Sequence, residues 1–132
     1  MNFFLDNTFP PGLSRAVAEL AKEHGFQHML EAYPKGDPGS DLIWIPEIAK
    51  RKEIWRVLSG DRRLLTNPQN RAAVVSNKLI VFVMPSGFPS LVKWEQCAHF
   101  FRWFPEIEKK AAKSKPGDLF EVSMRGKVDP AK

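Results

Sequence analysis

Three aspartates carry the clearest chemical signal: Asp6 follows a short apolar run, Asp41 opens a second and Asp61 trails a third. A carboxylate placed directly after Phe3, Phe4 and Leu5, with Asn7 and Thr8 beside it, is costly unless it is solvated or bound to something positive. Carboxylates brought within several ångströms raise one another's pKa and oppose ionisation, a conflict that a divalent cation relieves. Mg²⁺ and Mn²⁺ favour carboxylate oxygens and water. Zinc sites need Cys or His at set spacings, whereas Cys97 stands alone and His24, His28 and His99 are widely separated. A metal held by Asp6, Asp41 and Asp61 would lower the pKa of a water and stabilise charge on a phosphoryl oxygen. Taken singly, two of the three have a plainer reading. Asp41 is a good helix N-cap and Asp61 a turn residue, so the case rests on all three reaching one place.

The elements that must position them follow from apolar spacing. Asn2 to Leu5 reads as a strand, and Pro10 with Pro11 as the first turn of a helix carrying Leu13, Ala16, Val17, Leu20 and Ala21, closed by Gly25. Phe26 to Leu30 reads as a second strand, and Tyr33 to Ser40 as a loop. Asp41 caps a helix with Leu42, Ile45, Ile48 and Ala49 that should end near Lys52. Ile54 to Leu58 is a buried strand leading into Ser59, Gly60 and Asp61. Asn67 with Pro68 opens a short helix through Val75, which Asn77 can close in a left-handed conformation. Leu79 to Val83 is a strand, and Ser90 can cap a long helix that Pro105 must break or kink. The charged stretch Glu106 to Lys115 reads as solvent-facing, Lys113 to Gly117 as a flexible connection, and Leu119 to Val122 with Gly126 as an edge hairpin.

Alternating strands and helices predict an α/β fold, a three-layer α/β/α sandwich with a mainly parallel central sheet. In such sheets ligands gather beyond the carboxyl ends of the strands. Asp6 and Asp61 both follow strands and should share that rim, whereas the loop before Asp41 decides whether it joins them. One domain is expected over residues 1–128, with a tail at 129–132.

The 132 residues suit one core, and 43% apolar with 27% charged residues exclude a disordered chain. No apolar run approaches the ~20 residues of a membrane-spanning helix. The N-terminus lacks signal-peptide features, which makes a cytoplasmic address the default. A net charge of +5 and a pI near 9.5 favour a polyanionic partner. Trp44, Trp55, Trp94 and Trp103 fit core packing better than base stacking. Phe100, Phe101, Trp103 and Phe104 are denser than one helix face can bury, which leaves some for a partner or a second copy.

At Phe3, Phe4, Leu5, Asp6 and Asn7 the sequence resembles the opening strand and first acid of the PIN-like domain family. The likeness is strongest to the short branch found among toxin ribonucleases of toxin–antitoxin pairs. Pro10 to Leu13 resembles the next helix start, Asp41 with Trp44 and Ile48 the helix-leading acid, and Val57 to Asp61 the strand, hydroxyl residue, spacer and acid that follow. The resemblance implies RNA hydrolysis with Mg²⁺ or Mn²⁺ on Asp6, Asp41 and Asp61, and a protein antitoxin as partner. Ser59 matches the hydroxyl position that helps orient metal water or phosphate, with Asn7 close by.

Two departures stand out. Larger members carry a further Glu on a helix in a segment that is abbreviated here, where Glu31 or Asp37 could replace it. Some carry another acid just after Asp61, where this chain has Arg62 and Arg63, whose planar forks could grip phosphate. The missing acid keeps open a non-catalytic module of the same family that binds RNA or protein. Asp6 also resembles the nucleophile of haloacid-dehalogenase-like phosphatases, but Thr8 stands where their second Asp belongs.

Overall fold

The computed structural model describes residues 1–36 and 38–132, so the substitute acid Asp37 lies outside the described residues. Strand β1 (Asn2–Leu5) is followed by α1 (Pro11–Leu20), which begins on proline, where no intrahelical N–H bond is lost, and buries Leu13 and Val17. Strand β2 (Gly25–His28) stops short of the expected Leu30. His28 Nδ1 accepts the Leu30 N–H at 3.1 Å while Glu31 accepts the His28 N–H at 3.1 Å. This reciprocal cap turns the chain into the single helical turn α2 (Met29–Ala32). Glu31 is thereby a capping residue.

Helix α3 (Asp41–Ala49) ends before the expected Lys52, and β3 (Trp55–Ser59) and the one-turn α4 (Arg63–Thr66) follow. Helix α5 (Pro68–Ser76) is capped by Asn67 as expected. The left-handed residue beyond it is Lys78, with φ 57°, whereas Asn77 has φ −87°. Strand β4 (Ile80–Val83) leads through a short 3₁₀ turn, Phe88–Ser90, into α6 (Lys93–Ala112). Ser90 belongs to that turn, and Val92 takes the N-cap position. Strands β5 (Leu119–Val122) and β6 (Val128–Pro130) complete the chain, so the sheet reaches into the residues expected as a tail.

The strands form one sheet in the order β2-β1-β3-β4-β5-β6, parallel except for β6. Alternate residues of each strand feed opposite faces, as the period of two requires. Phe3, Leu5, Leu58, Ile80, Phe82, Phe120 and Val122 meet α1 and α6 on one side. Phe4, Val57, Val81, Val83 and Leu119 meet Met29 of α2, Trp44, Ile45 and Ile48 of α3, Leu64 and Leu65 of α4, and Val74 of α5 on the other. The three-layer sandwich follows directly from strands that are apolar on both faces.

Proline 105 does not break α6, whose buried residues Phe100, Trp103, Phe104, Ile107 and Ala111 lie on both sides of it. Pro105 itself is exposed. The missing hydrogen bond therefore falls where water can satisfy the unpaired carbonyl, while burial opposite holds the helix together. Ile107 and Ala111 also give the charged stretch a buried face. Most of the dense aromatic group is core: Phe100, Trp103 and Phe104 are buried and Phe101 partly so, while Trp94 is 75% exposed. Residues 113 to 117 are tied down, with Ser114 Oγ donating to Ala111 O at 2.6 Å and Lys115 N to Asp118 Oδ2 at 2.8 Å. Among the described residues no helix is long and apolar enough to cross a membrane.

The β5–β6 hairpin turns at Gly126, whose φ is 86°. A Cβ there would lie 3.0 Å from Trp103 Cδ1. Gly126→Ala should therefore cost about 1–3 kcal/mol, through backbone strain and displacement of a buried indole. Urea unfolding would register this as a lower midpoint, and an unchanged midpoint would contradict the close packing.

Candidate active site

The sheet order reverses direction at β1, because the chain passes from β1 to β2 on one side and then to β3 on the other. Such a reversal opens a crevice beyond the carboxyl ends of the two strands concerned. Leu5 pairs with Leu58, so Asp6 and Ser59 emerge side by side at that crevice.

Asp6 is only 5% exposed. Its Oδ1 accepts the Thr8 N–H at 2.9 Å and the Thr8 hydroxyl, and its Oδ2 accepts the Ser59 hydroxyl. Both hydroxyls are themselves acceptors, Thr8 Oγ1 from Gly60 N at 2.7 Å and Ser59 Oγ from Asp61 N at 2.9 Å. Residues 6–8 and 59–61 are thus clasped through one carboxylate. Gly60 permits the approach, since a Cβ there would meet Phe88 Cδ2 and Thr8 Oγ1 at 3.1 Å. Burial pushes the Asp6 carboxyl up from 3.8 to about 6, against the downward pull of the Ser59 and Thr8 bonds and with a further push from the Asp61 charge.

Asp61 starts α4. Its Oδ1 accepts Arg63 N at 2.9 Å and Nε at 3.0 Å, and its Oδ2 accepts Arg63 Nη2 at 2.8 Å. Burial raises the Asp61 carboxyl, but the Arg63 bonds and charge outweigh it and leave the group below its ordinary value.

Asp41 is not the N-cap of α3. Ser40 takes that place, accepting the Leu42 N–H at 3.2 Å, and Asp41 is the first helical residue. Its carboxylate is used elsewhere: Oδ1 accepts Trp44 Nε1 at 2.9 Å and Oδ2 accepts Asn70 Nδ2 at 3.0 Å. Asn67 Oδ1, by accepting Gln69 N and Asn70 N at 2.9 and 3.1 Å, sets the turn of α5 that carries Asn70.

Asp6, Asp41 and Asp61 all line one cleft of about 350 Å³, together with Asn7, Thr8, Arg63, Asn67, Gln69 and Asn70. Their oxygens do not all lie within 4.8 Å of one another. Among the described residues, the group of three ligand-type side chains with atoms within 4.8 Å of one another is a different one, Glu23, His24 and Glu108. That group lies at the amino-end edge of the sheet, where His24 precedes β2.

The other expected substrate residues divide. Asn7 and Arg63 line the cleft, whereas Ser59 is fully buried and spends its hydroxyl on Asp6. Arg62 points away, pairing with Glu121 at 3.0 Å beside a second cleft near β6, because neighbouring residues at a helix start project in different directions. Thr8, Asn67 and Asn70 were not expected here. The hydroxyl two residues after Asp6 was a usable sign for Thr8. The Asn67 cap was legible, but not the face of α5 that Asn70 presents.

A family model described as a PIN-like domain matches residues 1–86, the stretch that contains β1 to β4 and every residue of the acidic cleft. No curated protein and no solved structure gives a significant match. With more than half of its 132 residues matched, and with the mainly parallel α/β sheet in place, this chain belongs to the PIN-like domain family.

Proposed function

We propose that this protein is a metal-dependent ribonuclease that hydrolyses phosphodiester bonds at the cleft between β1 and β3. The observation that carries the reading is the buried, doubly clasped Asp6 facing the same cleft as Asp41 and Asp61. Membership in a family whose members are commonly nucleases supports it, as does the net charge of +5, which favours a polyanion. RNA as substrate follows from the resemblance described above. So do the narrower role of toxin and the expected antitoxin partner, which would cover the acidic rim.

The donor set fits a hard divalent cation. Among the described residues that line it, the cleft offers three carboxylates and side-chain amides, with no Cys or His. Carboxylates that share one cleft without all closing to within 4.8 Å of one another leave room for water, and Mg²⁺ or Mn²⁺ would retain several of their waters there. When bound, such an ion supplies Lewis-acid stabilisation of phosphoryl charge and a more acidic water. Asp6 would contribute Oδ2, because Oδ1 already accepts two donors. Trp44 and Asn70 hold the two oxygens of Asp41 in fixed directions, which limits reorganisation on binding. Asn7, which is exposed and lines the cleft, would bind the nucleotide backbone.

A second reading, a non-catalytic module binding RNA or protein, draws support from the Arg63 fork on Asp61 and from the separation of the acids. Aspartyl phosphotransfer has little support, since Asp6 is clasped at both oxygens and Thr8 replaces the acid that such chemistry requires.

Asp6→Asn should lower RNA cleavage in Mg²⁺ or Mn²⁺ about a hundred-fold or more. Retained cleavage by this variant would sink the ribonuclease reading. Folded protein with no cleavage by the native chain under any divalent ion would favour the binding module.

The raised Asp6 pKa also sets a pH dependence of stability. A carboxyl raised to about 6 in the fold favours folding while protonated, and this contribution is lost as pH climbs from the ordinary carboxylate range through about 6. The loss at neutral pH is on the order of 2–3 kcal/mol. In EDTA at pH 7.5, Asp6→Asn should therefore melt several degrees above the native protein. The gap should close by pH 4, and saturating Mn²⁺ should narrow it at pH 7.5 by stabilising only the native protein. Equal melting temperatures in EDTA at pH 7.5 would show that Asp6 is not under this strain.

A further inference from the structure

We infer that Arg63 is the cleft's own placeholder for the divalent ion, holding Asp61 until metal enters and then passing its guanidinium to the RNA backbone. The inference rests on the metal-dependent reading of the cleft. It deepens that reading by giving one arginine two successive partners.

Both residues line the cleft. The Asp61 side chain is 15% exposed and that of Arg63 73% exposed, so the carboxylate is fixed while the cation is within easy reach of solvent. The guanidinium makes a fork on Asp61, with Nε on Oδ1 at 3.0 Å and Nη2 on Oδ2 at 2.8 Å. Nε also lies 3.2 Å from Oδ2, and the Arg63 N–H takes a further site on Oδ1 at 2.9 Å. These bonds fill the lone-pair directions through which Asp61 would hold a metal. Guanidinium and dication cannot both sit there, because their charges would repel at short range.

The two holds on Asp61 differ in how they would respond. Arg63 N–H belongs to the backbone of α4 and keeps the carboxylate aimed when the side chain leaves. The guanidinium ends a long stem that is 73% exposed, so on leaving Asp61 it passes into water rather than into a dry interior. Arg62 offers no substitute, being paired with Glu121 beside the other cleft. A displaced Arg63 fork remains at the mouth of the acidic cleft, where the next anion to arrive is a phosphodiester. The planar fork matches two phosphate oxygens as well as it matches a carboxylate. Metal and RNA binding are then coupled through Arg63: each weakens the Arg63–Asp61 pair and so favours the other.

The test is Mn²⁺ binding, measured calorimetrically without RNA, for the native protein, Arg63→Ala and Arg63→Lys, with melting curves to confirm folding. Arg63→Ala should bind Mn²⁺ about three- to ten-fold more tightly than the native protein, and Arg63→Lys by an intermediate amount, because lysine keeps the charge and loses the fork. At saturating Mn²⁺, Arg63→Ala should raise the KM for an RNA oligonucleotide about ten-fold, with a smaller change in kcat. Mn²⁺ binding to Arg63→Ala that is no tighter than native would overturn the placeholder role, while native binding and cleavage would leave the ribonuclease reading intact. Tighter Mn²⁺ binding with an unchanged KM would overturn the transfer to RNA. Failure of all three proteins to bind Mn²⁺ would overturn both this inference and the metal-dependent reading beneath it.

Discussion

The carboxylate of Asp6 sits at the end of a strand with almost no access to water, and the local structure is arranged around that fact. Thr8 and Ser59 supply hydroxyl donors to its two oxygens, and their own lone pairs are filled by the backbone of Gly60 and Asp61. Each member of this chain satisfies the next, as buried polar groups require. The hydrogen bonds do not cancel the desolvation, which is why the carboxyl stays above its ordinary range. A residue held under such strain is expected where function demands it.

The sheet makes this arrangement possible. Parallel strands buried on both faces are rigid, and the pairing of β1 with β3 brings two loops from distant parts of the chain into hydrogen-bonding distance. Helices α3 and α5 pack on one face and bring Asp41 and Asn70 to the same rim. Helix α6 lies on the other face. Its Gln96 amide bonds Phe88 O at 2.9 Å and Thr8 O at 3.4 Å, so even the far layer is tied to the loop that carries Asp6.

Electrostatics divides the three acids by environment. Asp6 is raised by burial, Asp61 is lowered by Arg63, and Asp41 is oriented by an indole and an amide. Like residues in one cleft thus have different affinities for protons. That difference allows one cleft to combine a carboxyl reluctant to ionise with one that is already charged.

Much of this was legible in the chain. Apolar runs of four or five residues marked the strands, proline and asparagine marked the start of α5, and Asp6 after Leu5 placed a charge where only a site or water could tolerate it. Local signals misled where two residues competed for one job. Ser40 rather than Asp41 capped α3, His28 and Glu31 ended β2 early, and burial on α6 overrode Pro105. By itself, then, the sequence determined the α/β alternation and the aspartates at the ends of its strands, because short-range spacing and local side-chain chemistry encode both. The opposite directions of Arg62 and Arg63, the retreat of Ser59 from solvent and the meeting of Asn70 with Asp41 were decided only by the tertiary structure. Each depends on how separate elements pack across the sheet, and no local spacing records that.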